Sequence, residues 1–142
     1  MEWPVTYRRK IRFSDTDAQG IVFNGNYATY NDDAVTDYLD SLGFSWSEFQ
    51  ANGYDMVLGR SEMDFRSSAR LGDVLVTGAR IARIGKTSVV FELRSWIEAD
   101  ERVVVDSKLI QVIVDPQTLA PKPAPPFFVE AVEKLQGATV AR

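Results

Sequence analysis

The hydrophobic period of this chain changes partway along it, and the change limits what the chain can fold into. One long stretch repeats at helical spacing, and nearly everything after it repeats as strand. After Asn26, the residues Tyr27, Tyr30, Ala34, Tyr38 and Leu42 recur on one helical face, and Ala28, Val35 and Leu39 widen the stripe. Asn26 suits an N-cap and Gly43 a terminator. Asn24-Gly25 also has the chemistry of a two-residue hairpin turn, but the rhythm that follows lasts for about four turns, longer than a typical strand. A short second helix is predicted over Trp46–Ala51, stopped at Gly53. Beyond it, Asp55–Phe65, Val74–Ile84, residues 88–98 and residues 103–115 read as strands, broken by turn-forming stretches such as Leu71-Gly72-Asp73 and Gly85-Lys86. Residues 5–13 alternate as a further strand with one wet face: Val5, Tyr7, Arg9, Ile11 and Phe13 against Thr6, Arg8, Lys10 and Arg12. Consecutive strands with short connections form an antiparallel sheet, and a lone long helix ahead of most of them has to pack on its face. Pro121, Pro123, Pro125 and Pro126 end the strands, and a terminal helix starting at a proline is expected over residues 127–135.

With 142 residues, 45% of them apolar, the chain can close one core and is read as a single domain over residues 1–142. Its apolar runs fall far short of the roughly 20 residues of a membrane span. The N-terminus turns basic after Trp3-Pro4 without an apolar segment, so no secretory signal and a cytoplasmic location are expected. The chain has no cysteine and no histidine. Thiolate nucleophiles, disulfides, imidazole triads and most transition-metal sites are thereby excluded, and any catalysis has to use other groups. A net charge of -4 disfavours nucleic acid as a partner, since phosphate neutralisation by Lys and Arg drives that binding. Local basic clusters can still hold a small phosphorylated ligand. Neither a metal nor a cofactor is expected.

Between the first strand and the helix lies Ser14-Asp15-Thr16-Asp17-Ala18-Gln19-Gly20, rich in acids and turn formers, then Ile21-Val22-Phe23 and Asn24-Gly25-Asn26-Tyr27. This D-x-D-x-x-G-x-V-F loop leading into an N-Y helix start resembles the hotdog-fold acyl-CoA thioesterases of the 4-hydroxybenzoyl-CoA thioesterase type. Gly72-Asp73 before a long strand and Gly85-Lys86-Thr87-Ser88 at a hairpin support the resemblance more weakly. It implies an α+β hotdog fold, one central helix wrapped by a long antiparallel sheet, in dimers that extend the sheet and often in tetramers, here a homotetramer. It also implies an acyl-CoA substrate, with Asp17 as the catalytic carboxylate and backbone amides around Phe23 and Asn24 as oxyanion donors. Many bacterial relatives carry a histidine near the start of the helix, and this chain has none.

The residues themselves carry the same chemistry. A thioester needs a nucleophile and a holder for the charge that develops on its carbonyl oxygen. The first amides of a helix have no intrahelical partner and sit at the positive end of its dipole. Asp17, a few residues upstream, is placed to attack the carbonyl or to draw a proton from water. A free carboxylate is a weak base at pH 7 but a fully ionised nucleophile, which favours attack and an acyl-aspartyl anhydride. Asp15 reads as structural, Gly20 as a backbone-conformation residue, and Asn26 as a cap. Asp33, Asp37 and Asp40 read as the wet side of the helix, while Asp32 adjoins the buried stripe and could face a dimer partner. Arg83, Lys86, Thr87 and Ser88 form a candidate site for the phosphates of coenzyme A, and Arg66, Ser67, Ser68 and Arg70 a second one. Tyr27, Tyr30, Met56, Leu58 and Met63 are candidates for an acyl pocket. The rival reading is a non-catalytic module that binds acyl-CoA or an acyl-carrier protein with the same helix end.

Overall fold

A computed structural model describes residues 3–142. Its elements run β1 (Val5–Lys10), a 3-10 turn (Phe13–Asp15), α1 (Asn26–Asp40), α2 (Trp46–Ala51), β2 (Asp55–Phe65), β3 (Val74–Ile84), β4 (Ser88–Ile97), β5 (Val103–Val114) and α3 (Pro126–Gln136). The strands form one antiparallel sheet in the order β1-β3-β4-β5-β2. Strand β2, first after the helices, crosses to the far edge, so β1 and β2 are the two edges.

Alternation sorts each strand into two faces. On β4 and β5 the buried set Val89, Phe91, Leu93, Val105, Leu109 and Ile113 meets α1, whose own buried stripe is Tyr27, Tyr30, Asn31, Ala34, Val35 and Tyr38. The opposite face carries Arg80–Glu92 and Arg94–Asp106 ion pairs between neighbouring strands, and Arg8 of β1 reaches past β3 to Glu98 just beyond β4. Strand β2 changes phase at Gly59, which stands opposite no residue of β5, while Leu58 pairs with Gln111 and Arg60 with Ile110. Before this bulge Met56 and Leu58 point to the helix side; after it Ser61, Met63 and Phe65 do.

The core falls into two clusters. One joins Tyr38, Phe49, Phe91, Phe128 and Val132 under α2 and α3, and the other joins Ile11, Val22, Tyr27, Tyr30, Ala69 and Leu75 beneath the loop before α1.

Strand and helix ends elsewhere shift by single residues, and two readings beside the loop change. The first strand stops at Lys10 rather than residue 13, because the Arg12 amide donates to the Asp15 carboxylate and turns the chain into the 3-10 segment. Asn26 is not an N-cap: it is the first helical residue, its side-chain amide is directed to the Asp15 carbonyl, and Gly25 occupies the cap position with φ -65° and ψ -22°. Left-handed Gly43, with φ +92°, follows the end of α1 by a few residues, as a terminator should.

Candidate active site

The loop between β1 and α1 is a closed structure. Thr16 bridges Val22, the Asp17 amide donates to the Ile21 carbonyl (2.9 Å), and the Gly20 amide donates to the Asp17 carbonyl (3.0 Å). Gly20 has φ +76°, a conformation that a side chain disfavours. Within this turn one carboxylate oxygen of Asp17, Oδ1, accepts the Gln19 amide at 2.8 Å. Its Oδ2 has no partner among the described residues, and the side chain is only half-buried, so it is open to an incoming group.

At the loop's other end the amides divide sharply. Phe23 donates to the Asp15 carbonyl (3.0 Å), Asn26 to the Phe23 carbonyl (2.9 Å) and Tyr27 to the Asn24 carbonyl (3.3 Å). The amides of Asn24 and Gly25 donate to nothing among the described residues. The expected donor pair therefore shifts by one residue. The Phe23 amide is committed inside the loop, and the free pair at the start of α1 is Asn24 and Gly25.

Beneath the loop sits a polar cluster joining Asp15, read from the sequence as structural, to Tyr27 and Tyr30, read as acyl-pocket candidates. Asp15, 5% exposed, accepts from Arg9 Nη2 (2.7 Å), Tyr30 Oη (2.7 Å) and the Arg12 amide (2.8 Å). Burial opposes its charge, but the hydrogen bonds from Arg9, the Arg12 amide and Tyr30 outweigh burial and hold its carboxyl below the usual range. Burial and the adjacent Asp15 carboxylate push the Tyr30 phenol well up, so it stays a neutral donor. Tyr27 accepts the Ala69 amide at 3.2 Å and packs edge-on against Tyr30. Asn31, also buried, donates to Ser107 at 2.9 Å. Its place in the sequence, four residues after Tyr27 on the apolar stripe, is the one signal that could have revealed its burial.

The other candidates are spread more widely. Of the acyl-pocket residues, Tyr27 and Tyr30 are core, Leu58 is exposed, Met63 packs against the core, and Met56 lines a cavity of about 360 Å³ between α1 and the sheet, with Val35, Leu39 and Trp46. Asp32 and Asp40 sit on its rim. Arg83, Lys86 and Ser88 line a separate groove of about 780 Å³ at the β3–β4 turn; Thr87, beside it, gives its carbonyl to the Ile113 amide. That turn lies at the far end of β3 from Lys10, which pairs with Val74, so strand rise puts it about 33 Å away from the Asp17 loop. Residues 66–70 instead abut the loop, through the Ile21–Arg70 bridge and the Val22 amide bonded to the Ala69 carbonyl. Of this stretch, Arg66 pairs with Asp64 and Asp106, Ser67 and Ser68 receive Arg102, and the exposed Arg70 has no ion-pair partner among the described residues. No group of His, Cys, Asp and Glu suited to a metal ion occurs among the described residues.

A five-stranded sheet wrapped on one long helix, with a carboxylate-bearing loop running into the helix start, is the hotdog fold of thioester hydrolases. Residues 19–104 match the thioesterase superfamily, and the chain belongs to it. The acyl-CoA thioester hydrolase YbgC of Escherichia coli is 28% identical over 127 residues, covering 89% of this chain and 91% of that protein. A putative esterase of Aquifex aeolicus is 30% identical over 102 residues, covering 72% and 77%. Among solved structures, the 1,4-dihydroxy-2-naphthoyl-CoA thioesterase Slr0204 of Synechocystis superposes with a TM-score of 0.83 at 20% identity, covering 93% of this chain and 97% of that one. A thioesterase of Thermus thermophilus complexed with coenzyme A and Zn gives 0.83 at 24% identity, covering 97% and 98%.

Proposed function

We propose that this thioester hydrolase cleaves acyl-CoA with Asp17 as nucleophile and the Asn24 and Gly25 amides as the oxyanion holder. The observation that carries the proposal is that one loop ends in an open carboxylate oxygen on one side and in two unpartnered amides at a helix start on the other. The thioester oxygen accepts from the two amides and its carbonyl carbon becomes electrophilic. Asp17 Oδ2 bonds to that carbon, the C–S bond breaks, and coenzyme A leaves as a thiolate that takes a proton from water. A water molecule then adds to the resulting anhydride, returning the Asp17 carboxylate and releasing the acid. No cofactor takes part in this scheme. The relatives' names support coenzyme A as the carrier of the acyl group, and the groove lined by Val35, Leu39, Trp46 and Met56 is apolar enough to take an acyl chain.

The phosphate end of the substrate supports an oligomer. In the groove at the β3–β4 turn, Glu62, Glu92 and Asp106 are each paired with an arginine, whereas Arg83, Lys86 and Lys108 have no ion-pair partner among the described residues. These cations suit phosphates, but from about 33 Å along the sheet they can serve the Asp17 site only when a second copy brings them there. The free edge of β2, with Leu58 and Phe65 more than half exposed beside it, is the surface we assign to that contact. A homotetramer of two such dimers is the assembly proposed; light scattering in solution measures it.

The deciding experiment compares wild type and Asp17→Asn on a panel of aryl-, short- and long-chain acyl-CoAs, following thiol release with a chromogenic disulfide. Hydrolysis by wild type that falls at least about a hundredfold in the variant, with the fold intact, is the expected result. Binding of acyl-CoA by both proteins without turnover by either would replace this reading with the binding module. Turnover in oxygen-18 water tests the route: label in the Asp17 carboxylate requires an anhydride opened by water at the aspartyl carbonyl, whereas label in the product acid alone means that water attacks the acyl carbon, directly or in the anhydride.

A further inference from the structure

We infer that Asp15 is a positioning residue, fixing which amides at the start of α1 are offered to the substrate. The inference rests on the reading of Asn24 and Gly25 as the oxyanion donors. Asp15 joins β1, α1 and both arms of the loop. Its carboxylate is bound by Arg9 from β1, by Tyr30 from α1 and by the Arg12 amide from the incoming chain, all within 2.8 Å. Its carbonyl accepts the Phe23 amide at 3.0 Å and the Asn26 side-chain amide at 2.8 Å. The side chain holds the residue to the sheet and the helix, and the main chain then holds the outgoing end of the loop.

The consequence is selective. Three consecutive amides, Phe23, Asn24 and Gly25, precede the helix. By accepting the first, the Asp15 carbonyl removes it from competition and sets the orientation of the next two. Packing anchors the loop at Val22, but Phe23, Asn24 and Gly25 beyond it are all exposed, so hydrogen bonding rather than packing has to orient their amides. Hydrogen bonds constrain direction as well as distance, and placing a polarising group to within a fraction of an ångström is worth orders of magnitude in rate.

Amide hydrogen exchange and steady-state kinetics on the full chain, read together, test this. Asp15→Asn removes the charge that Arg9 faces, and Tyr30→Phe, the milder variant, removes one hydroxyl and keeps the ring. A third protein, Val132→Ala in the other core cluster, lowers stability without touching the loop. Expected for Asp15→Asn is loss of Phe23 amide protection with core amides still protected, and kcat down about a hundredfold at nearly constant KM. Tyr30→Phe should show the same pattern at about tenfold, and Val132→Ala should lower Tm while leaving Phe23 protection and kcat alone. A Phe23 amide as protected in Asp15→Asn and Tyr30→Phe as in wild type overturns the inference. So does a kcat that follows Tm alike in all three variants. A wild type inactive on every acyl-CoA overturns the functional reading instead, and Phe23 exchange then still decides whether Asp15 sets the loop.

Discussion

The two ends of helix α1 rest on the same sheet and are held by different forces. Toward α2 and α3 the contacts are mostly apolar and aromatic: Tyr38 meets Phe91 edge-on at 5.5 Å, and Phe49 lies within 6.2 Å of the rings of Phe44, Trp46, Tyr54, Phe127 and Phe128, with one polar bridge where the Tyr38 hydroxyl donates to Gln136 at 2.6 Å. Toward the loop, buried hydrogen bonds take over: Arg9 and Tyr30 to Asp15, Ala69 to Tyr27, Asn31 to Ser107. Burial of apolar surface is strong and non-directional, so it secures the helix without dictating the orientation of any one group. Hydrogen bonds add about 1 kcal/mol each but fix angles. The division places stability at one end and geometry at the other.

This contrast can be broken from either side. The largest effect is expected from Phe128→Ala, which empties a fully buried aromatic site: stability should fall by about 3–5 kcal/mol in urea titration. If the two ends are separable, the folded fraction should keep the wild-type kcat; a kcat that falls with stability would merge them. A smaller effect should come from acid. The Asp15 carboxyl titrates below its unfolded value of about 3.9, so its contribution is complete above that pH and disappears as pH falls through the lower folded value. Phe23 amide protection should therefore be lost in acid below that range while amides around Phe128 stay protected, and the Asp15→Asn variant should lack this step. Simultaneous loss at both ends would show a single cooperative unit. The smallest effect, about 1 kcal/mol, is expected from Ser45→Ala. Ser45 Oγ accepts the Glu48 amide at 3.0 Å while Glu48 reaches back to the Ser45 amide, and the variant should loosen α2 without changing kcat.

What the sequence disclosed follows the same division. The helix stripe, the strand segments and the acidic loop are local patterns, and each lies within a few residues of where periodicity and turn chemistry put it. Strand phase in β2 was not local: Met56, Val57 and Leu58 are consecutive apolar residues before Gly59, and only the pairing with β5 shows which of them face the helix. The part of the site that depends on distant partners was hidden. Asp15 looked like a turn residue because Arg9 and Tyr30 belong to two other elements, and the Phe23 amide looked free because its acceptor is set by the fold of the loop. That Arg83 and Lys86 stand at the far end of β3 from the Asp17 loop follows only from the pairing of Lys10 with Val74. Tyr27 and Tyr30 are core rather than pocket because their hydroxyls are spent on Ala69 and Asp15.

The unpaired glycine of β2 bears on how such chains can diverge. Gly59 is a residue that the ladder does not need. Without it Leu58 would still face Gln111 and Arg60 would still face Ile110, and the strand would alternate without interruption, with Met63 and Phe65 still on the side that meets α1. A side chain placed there would meet a methyl group of Val112 at 3.1 Å and the Ile110 carbonyl at 3.4 Å. Over evolutionary time this is a position where one residue can come or go without turning the strand over.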